Sequence, residues 1–280
     1  MSLITVSKAT GIFLLVLCLS SAGCVHYATT ANRDVTFLPY KDTKVGSESL
    51  RKFLIARSAV LLQADQLSID HADTNSLNFS FVGTKSWVGM AAAIDRRGYF
   101  LTAAHCVKGG SCWLMFLNKG KLQAQRARVV WRSNYPKAQP DLAVLQVSLP
   151  LQQVFEWAGK PTNETPVLAV GFNYENPKAW KTLCMAGKLL RLSDESAIAP
   201  PHYTLISHDV PFRHGDSGGP LVSTDGRLIG INVSMEVGVR WRQLSIEPLY
   251  SDTVRPDLEW LRKIIDQDVA LQSGAITNRW

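Results

Sequence analysis

The chain has 280 residues, of which 46% are hydrophobic and 9% aromatic, and its formal net charge is +7. No window is strongly charged or low in complexity, so extensive disorder and solenoid repeats are excluded. Lysine and arginine are scattered in ones and twos, whereas a nucleic-acid-binding protein usually concentrates them in a run or stripe. The composition predicts a globular protein that does not bind nucleic acid.

Residues 1–24 have the three parts of a signal peptide: a positive charge, a short apolar stretch and small residues. The apolar stretch is too short to span a bilayer as a helix. "SSAGC" is similar to the lipobox of bacterial lipoproteins, although Ser21 stands where leucine is commonest. We expect export to the periplasm or cell envelope, with a lipid on Cys24 as the only contact with the membrane. The alternative is ordinary cleavage after Ala22 or Gly23, followed by secretion.

Residues 25–50 are polar and contain proline, and we interpret them as a tether. From there the chain consists of short runs rich in β-branched and aromatic residues, the pattern of β-strands. The runs of the first group are "SAVLLQ", "VGMAAAID", "GYFLTAAHCV", "CWLMFL", "RARVVW" and "DLAVLQVSL".

A proline-rich break between Pro150 and Pro166 separates these runs from a second group of strands, which reaches about residue 250. Residues 255–268 then carry a proline, an acidic first turn and an apolar face, which predicts a C-terminal helix. Two groups of about six short strands favour two antiparallel barrels, although periodicity alone also fits one sandwich.

The stretch "HGDSGGPL" contains Ser217, which is a candidate nucleophile or part of a flexible turn. A serine hydroxyl needs a base to take its proton, and the base needs a group that orients it. Among six histidines, His105 in "LTAAHC" ends a predicted strand, whereas His208 and His214 are only near the serine in sequence. Asp141 begins an apolar strand, where a buried acid needs a partner such as an imidazole N–H.

The glycine two residues before the serine permits a backbone that aims two N–H groups at one point. Gly215 and Ser217 would thus donate to the oxyanion of a tetrahedral intermediate. The order His105, Asp141, Ser217, each in its own motif, favours the nucleophile over the turn.

The three motifs "LTAAHC", "DLAVLQV" and "GDSGGPL" resemble the signature blocks of trypsin-like (chymotrypsin-fold) serine proteases. This resemblance implies an all-β protein with two six-stranded antiparallel β-barrels, an active site in the cleft between them, and a C-terminal helix. It also implies a protease domain at 51–270, with barrel 1 at about 55–150 and barrel 2 at about 160–250. The roles implied are general base, orienting acid and nucleophile for His105, Asp141 and Ser217.

Within that clan, "VGMAAAIDRRGYFLTAAHCV" and "GDSGGPLVSTDGRLIGINV" are similar to the bacterial HtrA-like branch, but about 30 residues after the second barrel leave no room for a PDZ domain. The implied activity is hydrolysis of polypeptides through an acyl-enzyme, with no metal or cofactor. A non-catalytic binding protein on this fold and a serine esterase are the alternatives. The oligomeric state stays open.

The resemblance places Pro211 at the base of the primary specificity pocket, with Val233 and Ser234 in its wall. An acid at the first position selects Arg or Lys in trypsins, so proline does not support that preference. Asp216 stands where animal trypsins form an ion pair with a new chain terminus. The sequence offers no such terminus, so we expect no activating cleavage and a basic neighbour such as Arg213 or His214.

Three cysteines follow residue 24. Cys106 and Cys112 flank "VKGGS", whose two glycines permit the reversal that a disulfide needs. We expect either a disulfide between these two residues or two separate thiols, and a buried thiol at Cys184.

Overall fold

The computed structural model describes residues 25–27, 33–39, 45–83, 86–136, 140–173, 176, 178–194, 203–240 and 245–274. Within these residues the helices are α1 (Glu48–Ile55) and α2 (Leu258–Gln272). The strands are β1 (Val25–Tyr27), β2 (Arg33–Leu38), β3 (Ser58–Gln63), β4 (Gln66–Ala72), β5 (Leu77–Val82), β6 (Ser86–Asp95), β7 (Tyr99–Thr102), β8 (Cys112–Asn118), β9 (Lys121–Arg132), β10 (Ala143–Gln146), β11 (Pro166–Asn173), β12 (Ala179–Asp194), β13 (Tyr203–His208), β14 (Pro220–Ser223), β15 (Leu228–Arg240) and β16 (Ser245–Pro256).

The first sheet closes into a six-stranded antiparallel barrel. Its strands follow the order β6-β3-β8-β9-β10-β7, and β7 pairs back with β6. Strand β1 adds to the outside of β6, with Val25 opposite Val88. All six residues of β3 are buried, and this strand lies in the barrel wall between β6 and β8.

The second sheet closes in the same way, in the order β11-β14-β15-β16-β13-β12, with β12 pairing back to β11. It then continues beyond the barrel, because β2 pairs with β12 in parallel and is followed by β5 and β4. The prediction of two six-stranded antiparallel barrels with a C-terminal helix is confirmed.

Part of the segment 25–50 differs from the predicted tether. Strand β2 buries Val35 and Phe37, which alternate with half-buried or exposed residues. Its neighbour β5 buries Leu77, Phe79 and Phe81 with the same period of two. The polar composition of the segment concealed a strand because two apolar residues are enough to anchor one to an existing sheet edge.

This extension is part of the core. Trp180 of β12 is fully buried, and its ring lies 5.3 Å from that of Phe79 and 5.2 Å from that of Phe172. Edge-to-face contacts at such distances stabilise a core beyond the area they bury. Strand β5 of this extension therefore packs against the second barrel.

The segment that links the barrels is bonded to both of them. Phe155 is buried and its N–H donates to the carbonyl of Ala93 in barrel 1 (2.9 Å). Leu228 of barrel 2 donates to Glu156 (2.7 Å) and accepts from Ala158 (2.8 Å). These bonds fix the link against each barrel.

Helix α2 begins later than the predicted 255–268, because Pro256 still pairs with Tyr203 as the last residue of β16. Asp257 caps the helix by accepting the N–H of Trp260 (2.7 Å). Near its end, Asp268 is buried against barrel 1. None of the helices among the described residues is both long and apolar enough to cross a membrane.

Candidate active site

His105 and Asp141 meet at the edge of barrel 1 that faces barrel 2. His105 lies in a short 3-10 turn, Ala104–Cys106, directly after β7, and Asp141 lies just before β10, which pairs with β7. One carboxylate oxygen accepts the backbone N–H of His105 (2.9 Å), and the other lies 2.5 Å from Nδ1 of its ring. Both side chains are buried.

This pair determines the tautomer of the histidine. A carboxylate only accepts hydrogen bonds, so Nδ1 carries the proton that faces Asp141. The remaining ring nitrogen, Nε2, keeps its lone pair, is buried, and has no hydrogen-bond partner among the described residues. The arrangement can therefore take up a proton at Nε2 while the carboxylate stabilises the resulting imidazolium.

Ser217 lies in the turn just before β14 of barrel 2 and is bound to barrel 1 through its backbone. Its carbonyl oxygen accepts the N–H of Met90 in β6 (2.8 Å) and lies 3.6 Å from Sγ of Cys106, the residue after His105. The structure thus brings the three predicted triad residues into one region. Met90 was missed by the sequence analysis, because a contact through backbone atoms has no side-chain signature.

Glycines shape the turn around the serine. Gly218 has φ +85°, and a Cβ there would overlap the carbonyl oxygen of Met90 and Oγ1 of Thr102. Its N–H donates to the carbonyl of Asn232 (2.8 Å), which ties the turn to β15. Gly215 has φ +97°, a conformation open to glycine and strained for other residues.

Asp216, between the two predicted oxyanion donors, is buried beneath the turn. Its carboxylate accepts the N–H of Phe172 at the end of β11 (2.6 Å) and the N–H of Arg213 (2.8 Å). Burial raises the pKa of Asp216 to about 7, opposed by the two N–H donors and by the charge of Arg213. The sequence analysis expected a basic residue beside Asp216, and the charge of Arg213 does act on this carboxylate. The two backbone N–H donors were not anticipated.

The two other histidines near the serine have different surroundings. His208 is fully buried in β13, and its Nε2 lies 3.2 Å from Oδ1 of Asn232 and 3.1 Å from Oγ1 of Thr253. Burial lowers the pKa of His208 to about 4, so this ring is neutral at pH 7. His214 is exposed.

The predicted pocket residues lie on two neighbouring segments of barrel 2. Pro211 is exposed in the loop before the serine, whereas Val233 is buried in β15. The hydroxyl of Ser234 donates to Asp252 (3.2 Å), a buried carboxylate on β16 that also accepts from Ser207 (2.8 Å). Asp252 was not anticipated, since its sequence context carries no motif.

A separate shallow cavity of about 240 Å³ contains none of the predicted site residues. Among the described residues, no cluster of three or more His, Cys, Asp or Glu side chains is arranged to hold a metal ion.

The predicted disulfide between Cys106 and Cys112 is wrong. Cys106 is disulfide-bonded, whereas Cys112 and Cys184 are buried free thiols. The glycines of "VKGGS" do turn the chain, but Cys112 begins β8 with its sulfur 3.7 Å from Nε2 of Gln63, inside the barrel. Burial raises the pKa of both free thiols. The predicted lipidation site, Cys24, lies outside the described residues.

Two closed barrels that meet at a Gly-Asp-Ser-Gly turn are the architecture of chymotrypsin-fold proteins, and the fold of this chain is of that class. The chain matches the family described as trypsin-like peptidase domain over residues 89–231, just over half of its length, and it belongs to that family.

Curated relatives and solved structures agree with the HtrA-like resemblance. The chain is 30% identical over 158 residues to a putative serine protease HhoA of Synechocystis sp. (strain ATCC 27184 / PCC 6803 / Kazusa), covering 52% of the chain and 36% of the relative. It is 28% identical over 153 residues to a probable periplasmic serine endoprotease DegP-like of Marinomonas sp. (strain MWYL1), covering 54% and 30%. The match thus spans about a third of each relative's length.

Two solved structures share the fold. The HtrA-type protease AlgWS227A with tripeptide aligns with a TM-score of 0.53 and 18% identity, covering 78% of this chain and 62% of that chain. The MamO protease domain from Magnetospirillum magneticum in its apo form aligns with a TM-score of 0.50 and 19% identity, covering 76% and 98%.

Proposed function

We propose that the protein is an exported serine endopeptidase that hydrolyses peptide bonds through Ser217, His105 and Asp141. The observation that carries the proposal is the buried His105–Asp141 pair, bonded at both carboxylate oxygens, beside the turn that contains Ser217. Family membership and the printed names of the relatives, a serine protease and a serine endoprotease, support a polypeptide substrate.

In the proposed reaction, Oγ of Ser217 attacks the carbonyl carbon of the scissile bond while Nε2 of His105 takes the hydroxyl proton. The oxyanion accepts the N–H groups of Gly215 and Ser217, each of which contributes on the order of 10²–10³ in rate in sites of this kind. His105 then protonates the leaving amine and the C–N bond breaks, which leaves an acyl-enzyme. A water molecule activated by His105 hydrolyses the ester and restores the serine.

We further propose that Pro211, Val233 and Ser234 contribute to the primary specificity pocket. Proline at the first of these positions argues against a preference for Arg or Lys. Digestion of a peptide library tests this, because cleavage mainly after basic residues would contradict it.

Export, the lipid on Cys24 and the protease domain at 51–270 are parts of the same proposal. The periplasmic location printed for the DegP-like relative supports export. Mass analysis of the mature N-terminal peptide from cell membranes tests the anchor: a diacylglyceryl thioether on Cys24 supports it, and an unmodified terminus contradicts it.

The decisive experiment for the activity combines covalent labelling with digestion. We expect a fluorophosphonate to label wild-type protein at Ser217 and the Ser217→Ala variant not at all, and peptide cleavage to vanish in the same variant. Folded wild-type protein that resists the label would be a non-catalytic binding protein on this fold. Labelled protein that cleaves esters but no peptide in the library would be an esterase.

A further inference from the structure

Two positive side chains are attached to the segment that carries His105. Lys108 follows the 3-10 turn of His105 in the chain, and Arg132 is the last residue of β9. Nε of Arg132 donates to the carbonyl of Ala104, the residue before His105 (3.1 Å). Lys108 and Arg132 are both exposed, so their charges are accessible beside the base of the proposed triad.

Lys108 is held in place by its surroundings. Its Nζ lies 3.6 Å from the centroid of the Trp87 ring, a cation–π contact. Its backbone N–H donates to Oε1 of the buried Gln63 (3.2 Å), and Nε2 of the same glutamine donates to the carbonyl of Gly109 (2.8 Å). The ammonium group is therefore fixed by a ring, and its loop by a side chain of the barrel.

Neither cation has a counter-ion in the protein. No carboxylate in the described part of the chain forms an ion pair with Lys108 or Arg132. Partial burial lowers the pKa of Lys108, and so does the charge of Arg132, whereas the charge of Asp141 raises it. Asp141, however, is bonded to His105 through both of its oxygens. Two like charges are thus held near each other, and an anion bound to both would relieve their repulsion.

The donors of the two side chains fit a carboxylate. Among the described residues, Nη1 and Nη2 of Arg132 and Nζ of Lys108 have no hydrogen-bond partner. A guanidinium presents paired N–H groups that match the two oxygens of a carboxylate, and an ammonium adds a point charge with three donors. In a polypeptide, such a carboxylate belongs to Asp, Glu or the chain end.

We propose that Lys108 and Arg132 form an anion-binding subsite that holds an acidic side chain of the polypeptide substrate close to the scissile bond. This inference rests on the proposed serine-protease function and names a substrate class for the same site. An endopeptidase places side chains on both sides of the bond beside its base, whereas a chain end arrives there only at the last bonds. The subsite therefore selects Asp or Glu at one position near the cut.

The first measurement compares matched peptides with the full-length protein. Glu and Gln are exchanged at each position near the scissile bond, and every peptide has an amidated C-terminus so that only side chains carry the charge. At one position we expect kcat/KM to be about tenfold higher for Glu than for Gln, the effect of two partly exposed ion pairs. The preference should shrink in about 0.5 M NaCl, because salt screens exposed charges.

The second measurement follows the Glu-to-Gln ratio in variants. Lys108→Gln and Arg132→Gln should each lower it to about threefold, and the double variant should bring it close to one. Lys108→Arg should keep it. The ratio cancels any loss that affects both peptides equally, such as a change in the position of His105. Lys121→Gln is the matched control, because it removes an exposed lysine at the opposite end of β9, and both the ratio and kcat should match wild type.

The outcomes separate the inference from the function on which it rests. Wild-type protein that neither turns over peptide nor takes the fluorophosphonate contradicts the proposed function. Active wild type without a preference for Glu at any position overturns the subsite alone, as does a preference that persists in the double variant. A preference confined to a second peptide set with free C-termini would assign the two cations to chain ends and also overturn it. If Arg132→Gln fails to fold, the exposed Lys108→Gln decides by itself.

Discussion

The burial of Asp216 and of His208 makes two contributions to the pH dependence of the free energy of unfolding. A single substitution at Asp216 separates one contribution from the other. Asp216 has its pKa raised from 3.8 to about 7, which corresponds to about 4 kcal/mol. Well below pH 3.8 the carboxyl is protonated in both the folded and the unfolded state. Between pH 4 and 7 the unfolded chain has released the proton that the folded protein retains, so the free energy of unfolding falls as pH rises.

His208 acts in the opposite direction. Burial lowers its pKa from 6.5 to about 4, which corresponds to about 3 kcal/mol. Between pH 6.5 and 4 the unfolded chain takes up a proton that the folded protein excludes, so stability falls as pH falls. Over this range the two slopes oppose each other, and we expect the stability of the wild type to vary little on their account.

The perturbation is Asp216→Asn, which removes one of the two titrations. Urea unfolding followed by tryptophan fluorescence, at intervals from pH 4 to 7.5, gives the free energy of unfolding of both proteins. We expect the value for wild type minus that for the variant to fall by about 3 kcal/mol as pH rises from 4 to 7. Titrations shared by both proteins cancel in this difference. A difference that stays constant within about 1 kcal/mol would refute the reasoning.

Three further outcomes are expected. Asp141→Asn removes the charge that fixes the tautomer of His105, and kcat for peptide should fall by about 10⁴-fold, the loss known for this change in such triads. Tyr99→Phe removes the hydroxyl that donates to Asp268 (2.7 Å), and urea unfolding should show a loss of about 1.5–3 kcal/mol. Alkylation of denatured, unreduced protein should label the two other described cysteines but reach Cys106 only after reduction.

Each of these has its own contrary result. An asparagine variant at position 141 with kcat within tenfold of wild type would contradict the tautomer argument. Tyr250→Phe, at an exposed position, is the control for Tyr99→Phe, and equal losses in the two would contradict the buried bond. The peptide linked to Cys106 in a non-reducing digest identifies the second cysteine. If that is Cys24, the proposed lipid is excluded, because one sulfur cannot hold both a thioether and a disulfide.

The two barrels were predictable because their strands are short apolar runs separated by turn residues. The three motifs that resemble those of a two-barrel protease family then favoured two barrels over one sandwich. The extension formed by β2, β5 and β4 was not predictable. Strand β4 is almost entirely exposed, so it has no periodicity to detect, and β2 has only Val35 and Phe37 as apolar anchors. Strands of this kind are determined by the edge that they pair with, which the local sequence does not contain.

The candidate site divides in the same way. The sequence analysis found His105, Asp141 and Ser217 because their chemistry depends on side chains, whose identity the sequence gives directly. The partners of Asp216 are backbone N–H groups, and any residue except proline at 172 or 213 would offer the same donor. The disulfide prediction failed for a related reason: two glycines show that a chain can turn, but not where the sulfur atoms point afterwards.

The parallel pairing of β2 with β12 also has a consequence for the order of folding. Thr36 lies opposite Ala179, and between them the chain must form the whole first barrel. Pairings between such distant segments are slow, because loop closure must precede any gain from contacts. During synthesis β2 and its near partner β5 emerge long before β12 exists, so the edge that β12 later occupies stays unpaired. The early chain therefore exposes two apolar side chains that a holding chaperone can bind, and folding is complete only when β2 docks on β12.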